Sequence, residues 1–137
     1  MLLKRSVSDG SEILGRVKEV ADQVIQILLD TGKSLVFATQ ITSKLKVNYN
    51  SFSNLFLVEY GVTPESVFLM RVIEKVKELL VYTEQSFKQI AKVLGYNVSS
   101  LSNLLKKYTG FTSAYFKQIR KNKLEIIRRQ QAGQNGK

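Results

Sequence analysis

The sequence predicts an all-α fold, and three observations predict it. Apolar residues recur at steps of three and four along most of the chain. The single proline, Pro64, directly follows a threonine, as at the first residue of a capped helix. Glycines at 32, 61, 95 and 110 each close one of the periodic runs. A chain of 137 residues is enough for one domain, or for two small subdomains that share their core.

The elements follow in order. From Ser11 to Asp30, Ile13, Leu14, Val17, Val20, Ala21, Val24, Ile27 and Leu28 line one face of an amphipathic helix, which Gly32 ends. A short helix over Ala38–Leu45 packs Ile41 and Leu45 on one side. Asn48 caps the next, whose inward stripe is Phe52, Leu55 and Phe56, and Gly61 stops it. Thr63 and Pro64 open a long helix through Val67, Met70, Ile73, Val76, Leu79 and Leu80 that stops near Thr83. "SFKQ" at 86–89 is a capping box that begins a helix ended by Gly95. A further helix runs from Val98 to Tyr108 with Leu101, Leu104 and Leu105 inward, and a last one runs from Thr112 towards Arg129. The polar tail from 130 to 137 is expected to be disordered. The domain reading is therefore 1–32, an N-terminal tail and helix; 33–83, a first unit with a linker helix; 84–129, a second unit; and 130–137, the tail.

Composition narrows the chemistry. With no Cys and no His, the usual general base, thiol nucleophile and preferred metal ligands are all missing, so neither a catalytic centre nor a metal or cofactor is expected. "MLLKRSV" is charged within four residues, and no segment approaches the ~18 apolar residues of a membrane span. The expectation is a soluble, cytoplasmic protein with no membrane partner.

The net charge of +10 is unevenly spread. Residues 1–30 hold four basic and five acidic groups, net −1; 31–71 hold four and two, net +2; 72–137 hold thirteen and four, net +9. The basic field of the C-terminal half suits a polyanion, although a merely solvated basic surface has the same composition.

The decisive feature is an internal repeat. "FSNLF" at 52–56 returns as "LSNLL" at 101–105, and at the same offset of 49, residues 40–71 match 89–120. Gln40/Gln89, Ile41/Ile90, Leu45/Leu94, Asn48/Asn97, Ser51/Ser100, Asn54/Asn103, Gly61/Gly110, Thr63/Thr112 and Arg71/Arg120 are identical, and buried-type positions stay apolar in both copies. Each copy is a short helix, a tight turn, a second helix, a Gly stop and a third helix begun by Thr. That order is helix-turn-helix, whose second helix can lie in a DNA major groove. A scaffold of α-repeats is the alternative, but solenoids generally need about three repeats and only two are present.

The second copy, "SFKQIAKVLGYNVSSLSNLLKKYTGFTSAYFKQIR", resembles the DNA-binding domain of AraC/XylS-type bacterial transcription regulators. It has that family's Ala, Leu-Gly-aromatic turn, Ser-bearing recognition helix, paired basic residues, Gly and closing Arg. "ITSKLKVNYNSFSNLFLVEYGVTPESVFLMRVIEKVKELL" is similar to the family's first unit with its connecting helix. The likeness covers about residues 33–125. It departs at Leu101 and Leu105, where the family commonly has Phe, at Ser113, where it commonly has Pro, and in being one residue shorter before the Ser. The resemblance implies two tandem helix-turn-helix subdomains joined by a long linker helix, binding double-stranded DNA, with RNA polymerase as a further partner. Whether the chain is like the short stand-alone members or is a piece of a longer protein stays open.

The inward stripes then select the candidate contacts. Asn50, Ser51, Ser53 and Asn54, with Leu57, face outward on the first recognition helix; Ser99, Ser100, Ser102 and Asn103, with Lys106, do so on the second. Asn can bond adenine bidentately, and Ser can bond a base edge or a phosphate. Lys44, Lys46, Arg71, Lys88, Lys92, Lys106, Lys107, Arg120 and Lys121 are the candidate phosphate contacts. From Val47 to Met70 there is no Lys or Arg, so the second unit is expected to dominate salt-dependent affinity. Two such helices should read successive major grooves, about 34 Å apart, on a direct-repeat-like or asymmetric site. The helix at 11–30 is expected to pack on the first unit, or alternatively to form a weak homodimer coiled coil around an otherwise monomeric chain. The rival function is a degenerate regulator acting as a protein-interaction module. RNA binding ranks below it for want of an aromatic stacking platform.

Overall fold

The computed structural model describes residues 2–135, with side chains described for 12–133. Seven α-helices and no strand occur among the described residues: α1 Leu2–Thr31, α2 Phe37–Leu45, α3 Tyr49–Tyr60, α4 Pro64–Tyr82, α5 Phe87–Leu94, α6 Val98–Thr109 and α7 Ser113–Asn135. The chain divides into two compact units, Met1–Val72 and Ile73–Lys137, and the division falls inside α4.

The first unit is built on the seam of α1. Val17, Val20, Ala21 and Val24 are buried with Phe37 and Ile41 of α2, Phe56 of α3 and Val67 of α4. Of the two expectations for this helix, packing on the first unit is the one these contacts describe, and the seam a coiled coil needs lies inside the core. Phe37 packs against Phe68 with ring centroids 4.8 Å apart and planes tilted by 30°, and Phe52, Phe56 and Tyr60 form a file down the inner face of α3. Arg71 clamps α4 to α1 by donating to both carboxylate oxygens of Asp22, at 2.8 and 3.0 Å. Both side chains of this pair are partly exposed, so it adds at most about 1 kcal/mol.

In the second unit, Ile73, Val76 and Leu80 of α4, Ile90, Ala91 and Leu94 of α5, Leu101 and Leu105 of α6 and Phe116 of α7 are buried. The capping box at the start of α5 is complete: the Ser86 N–H donates to Gln89 at 2.8 Å and the Gln89 N–H donates to the Ser86 hydroxyl at 3.1 Å. Asn48 and Asn97 cap α3 and α6 in the same way, each accepting from a backbone N–H three residues on, Ser51 and Ser100. Gly61 and Gly110 close these two helices at φ of 75° and 79°, a left-handed conformation that an L side chain resists. At the turns that precede α3 and α6 the copies diverge. Gly95 takes the left-handed position in the second, but Lys46 takes it in the first, at φ 56°.

The short helix expected around 38–45 is α2, and Phe37 at its start is a core residue. Three expectations need correction. α1 begins at Leu2 rather than Ser11, because no proline interrupts residues 2–10 and Leu2, Leu3, Lys4 and Arg5 are good helix formers. Leu55, expected in the inner stripe of α3, is 70% exposed. At 100° per residue it falls outside the Phe52–Phe56–Tyr60 file, and that file already fills the interface. Finally, α7 continues through residues 130–135 instead of giving way to a disordered tail, since Gln and Ala are good helix formers and Gly133 alone does not stop it. Residues 136–137 lie outside the described residues.

Candidate nucleic-acid interface

On α3, Asn50, Ser51 and Asn54 are exposed, whereas Ser53 is half-buried at the edge of the core face. On α6, Ser99, Ser100, Ser102 and Asn103 are all exposed. Helical spacing puts Asn50 and Asn54 in one row and Ser99 and Asn103 in the equivalent row of the other unit, each about one turn apart. The caps set where each row begins, because Asn48 and Asn97 start the two helices at the same repeat position. Tyr49, the first residue of α3, donates its hydroxyl to Glu65 in the first turn of α4. Burial, then this hydrogen bond and the charge of Glu65, push the phenol far above its ordinary value, so it stays a donor that fixes the start of α3.

The two outer faces differ in charge. Beyond Asn103, α6 presents Lys106 and Lys107, both exposed; the Lys106 ammonium lies 3.0 Å from the Gly110 carbonyl, and Lys107 stands over the Tyr108 ring at 5.6 Å. At the matching positions α3 presents Leu57 and Val58, 45% and 85% exposed. Together with Leu55, Val58 belongs to a solvent-facing apolar stripe that the sequence reading missed. The signal was available in the offset of 49, which sets Val58 against Lys107.

The candidate phosphate contacts fall into two groups. Lys88 and Lys92 on α5, Lys106 and Lys107 on α6 and Lys121 on α7 are exposed on the second unit, and Lys46 is exposed on the first. Lys44 is exposed but bonded to Gln23. The closing arginines make contacts within their own units. Arg71 holds Asp22, and Arg120 donates to the Val81 carbonyl at 3.3 Å with Glu84 at 3.9 Å. Lys117 and Lys123 join Arg120 around the end of α4, Lys117 bonding the Thr83 and Gln85 carbonyls and Lys123 the Tyr82 hydroxyl. Cations there suit the negative end of the helix dipole. Burial pulls the Lys117 ammonium below its usual pKa, helped by Arg120 and opposed by Glu84. Among the described residues no cluster of acidic side chains has metal-site geometry, and no helix is long and apolar enough to cross a membrane.

Two units with capped, solvent-facing second helices define the class of helix-turn-helix domains. The chain belongs to the AraC-type helix-turn-helix family: the family's model, described as a helix-turn-helix domain, matches residues 41–119. Domains of this family bind DNA in the regulation of transcription. In fold the chain is similar to the C-terminal domain of AraT, a response regulator from Geobacillus stearothermophilus, at 22% identity over 74% of this chain and 85% of that one, with a TM-score of 0.54. It is also similar to the C-terminal domain of the two-component response regulator yesN from Fusobacterium nucleatum subsp. nucleatum, at 22% identity over 80% and 98%, with a TM-score of 0.56. No curated protein matches the sequence.

Proposed function

We propose that the chain is a sequence-specific transcription regulator in which α3 and α6 each enter a major groove of double-stranded DNA. The observation that carries this reading is the equivalence of the two outer faces: Asn50 and Ser99, Ser51 and Ser100, Asn54 and Asn103 are all exposed at matching positions of helices begun by matching caps. Asn50, Asn54 and Asn103 supply bidentate partners for adenine, and the serines supply shorter contacts to bases or phosphates. Successive grooves of an asymmetric or direct-repeat-like site are the natural target of tandem copies in one chain. RNA polymerase is proposed as the further partner, on family grounds. The functional division proposed is 33–83 and 84–129, with α1 as a support for the first unit.

Among the candidate phosphate contacts, Lys46, Lys88, Lys92, Lys106, Lys107 and Lys121 are exposed, and these are proposed to meet phosphates. If about six phosphates are neutralised, log affinity falls against log salt with a slope near −5. Fluorescence anisotropy on duplex DNA from about 50 to 300 mM salt measures it. A slope shallower than about −2 removes the phosphate contacts and this reading with them.

A further inference from the structure

The proposed asparagine, serine and lysine contacts leave the apolar stripe of α3 without a role. Leu55 is 70% exposed and Val58 85%, on a helix whose inner face already has its full complement of aromatic rings. Asn50, Asn54 and Val58 form one i, i+4 row, and Ser51 and Leu55 form the row beside it, so the aliphatic groups continue the same face that carries the asparagines. The equivalent rows of α6 are Ser99, Asn103 and Lys107, and Ser100 with Leu104. Lys107 is exposed, while Leu104 is only half-buried core. One unit therefore ends its row in a cation where the other ends it in an isopropyl group. From Val47 to Met70 no Lys or Arg compensates for the change.

In a major groove, the exposed apolar group of a base pair is the C5 methyl of thymine. The partner of that thymine is adenine, whose N6 and N7 are what an asparagine side chain bonds bidentately. A face that carries Asn50 and Asn54 beside Leu55 and Val58 thus matches the adenine and the thymine of A·T pairs in the major groove, without needing a phosphate cation in the same row. We infer that α3 reads an A·T-rich half-site through thymine methyl groups, with Leu55 and Val58 as its specificity-determining residues, whereas α6 reads its half-site through polar and cationic contacts. This rests on the proposed entry of α3 into a groove.

The test removes the methyl groups without touching base pairing. Duplexes enriched from a random pool by the intact protein are remade with deoxyuridine in place of thymidine. Burial of a methyl group is worth about a three- to fourfold change in affinity. The uracil duplex should therefore bind about tenfold more weakly if two methyl groups are buried. The double variant Leu55→Ala, Val58→Ala should bind thymine and uracil duplexes equally, while keeping the wild-type salt slope because no cation has been removed. Both residues are on the surface, and such substitutions change stability by about 0.5 kcal/mol or less, so the variant folds. Equal binding of the two duplexes by wild type overturns the inference, as does a double variant that still prefers thymine; in both cases a steep salt slope leaves DNA binding itself intact. If no duplex is enriched at all, both readings fall together. If the double variant keeps its thymine preference but loses binding to RNA polymerase, the stripe is a protein-docking face and the inference is overturned in favour of that one.

Discussion

Replacing Lys106 and Lys107 together by alanine is expected to lower affinity for duplex DNA about thirtyfold at 0.15 M salt and to make the log–log salt slope shallower by nearly two. The figure follows from counterion release. Each neutralised phosphate contributes about −0.9 to the slope, which at that ionic strength is roughly a fivefold gain in binding, and two such contacts multiply. Both lysines are exposed on α6, directly beyond Asn103, and no acidic side chain is among their contacts described above. Removing them should leave the core untouched, since Leu101 and Leu105 form the opposite face. Titration by anisotropy at four or five salt concentrations checks the result, with the melting curve as a control. A fall in affinity with an unchanged slope means that the lysines act on bases or on the fold, not on phosphates.

The second large effect concerns stability. Leu105→Ala is expected to cost about 2–5 kcal/mol, the range for a fully buried leucine whose cavity closes incompletely. Leu105 is 0% exposed, at the repeat position filled in the first unit by Phe56. A loss of that size is a large part of the ~5–15 kcal/mol that holds a typical domain together. Urea unfolding with far-ultraviolet circular dichroism measures it. The same experiment on Leu55→Ala should show a change of about 0.5 kcal/mol or less, because that leucine already faces solvent. Similar losses from both variants would mean that Leu55 is packed in solution and that the α3 stripe has been misplaced.

That contrast also shows how far the sequence is legible. Caps and stops are local, and they were readable because a single residue type at a fixed offset does the work: Asn48, Ser86 with Gln89, Gly61, Gly95 and Gly110 all stand where their chemistry predicts. The repeat supplied the rest of the architecture, since equivalent buried positions imply equivalent folds. What stayed hidden depends on distant partners. Leu55 repeats Leu104, yet one is exposed and the other half-buried, because the Phe52, Phe56 and Tyr60 rings of the first unit cover the core that leucines must cover in the second. Arg71 and Arg120 carry no sign of a partner in the local sequence, because Asp22 on α1 and the Val81 carbonyl on α4 that engage them are distant along the chain. Periodicity also under-read the helix ends. Residues 2–10 and 130–135 carry no apolar stripe, but they lack breakers strong enough to end α1 or α7.

Two copies of one module are proposed to read two places on one duplex. Selection from a random pool of duplexes, carried through several rounds with the wild-type chain and followed by sequencing, puts this to the test. Two short motifs about one helical turn apart are expected, arranged head to tail or asymmetrically, one rich in A·T pairs and lost from the selected sequences when Asn50 and Asn54 are replaced by alanine. A single motif that survives that replacement unchanged, or a pool that stays random, contradicts it.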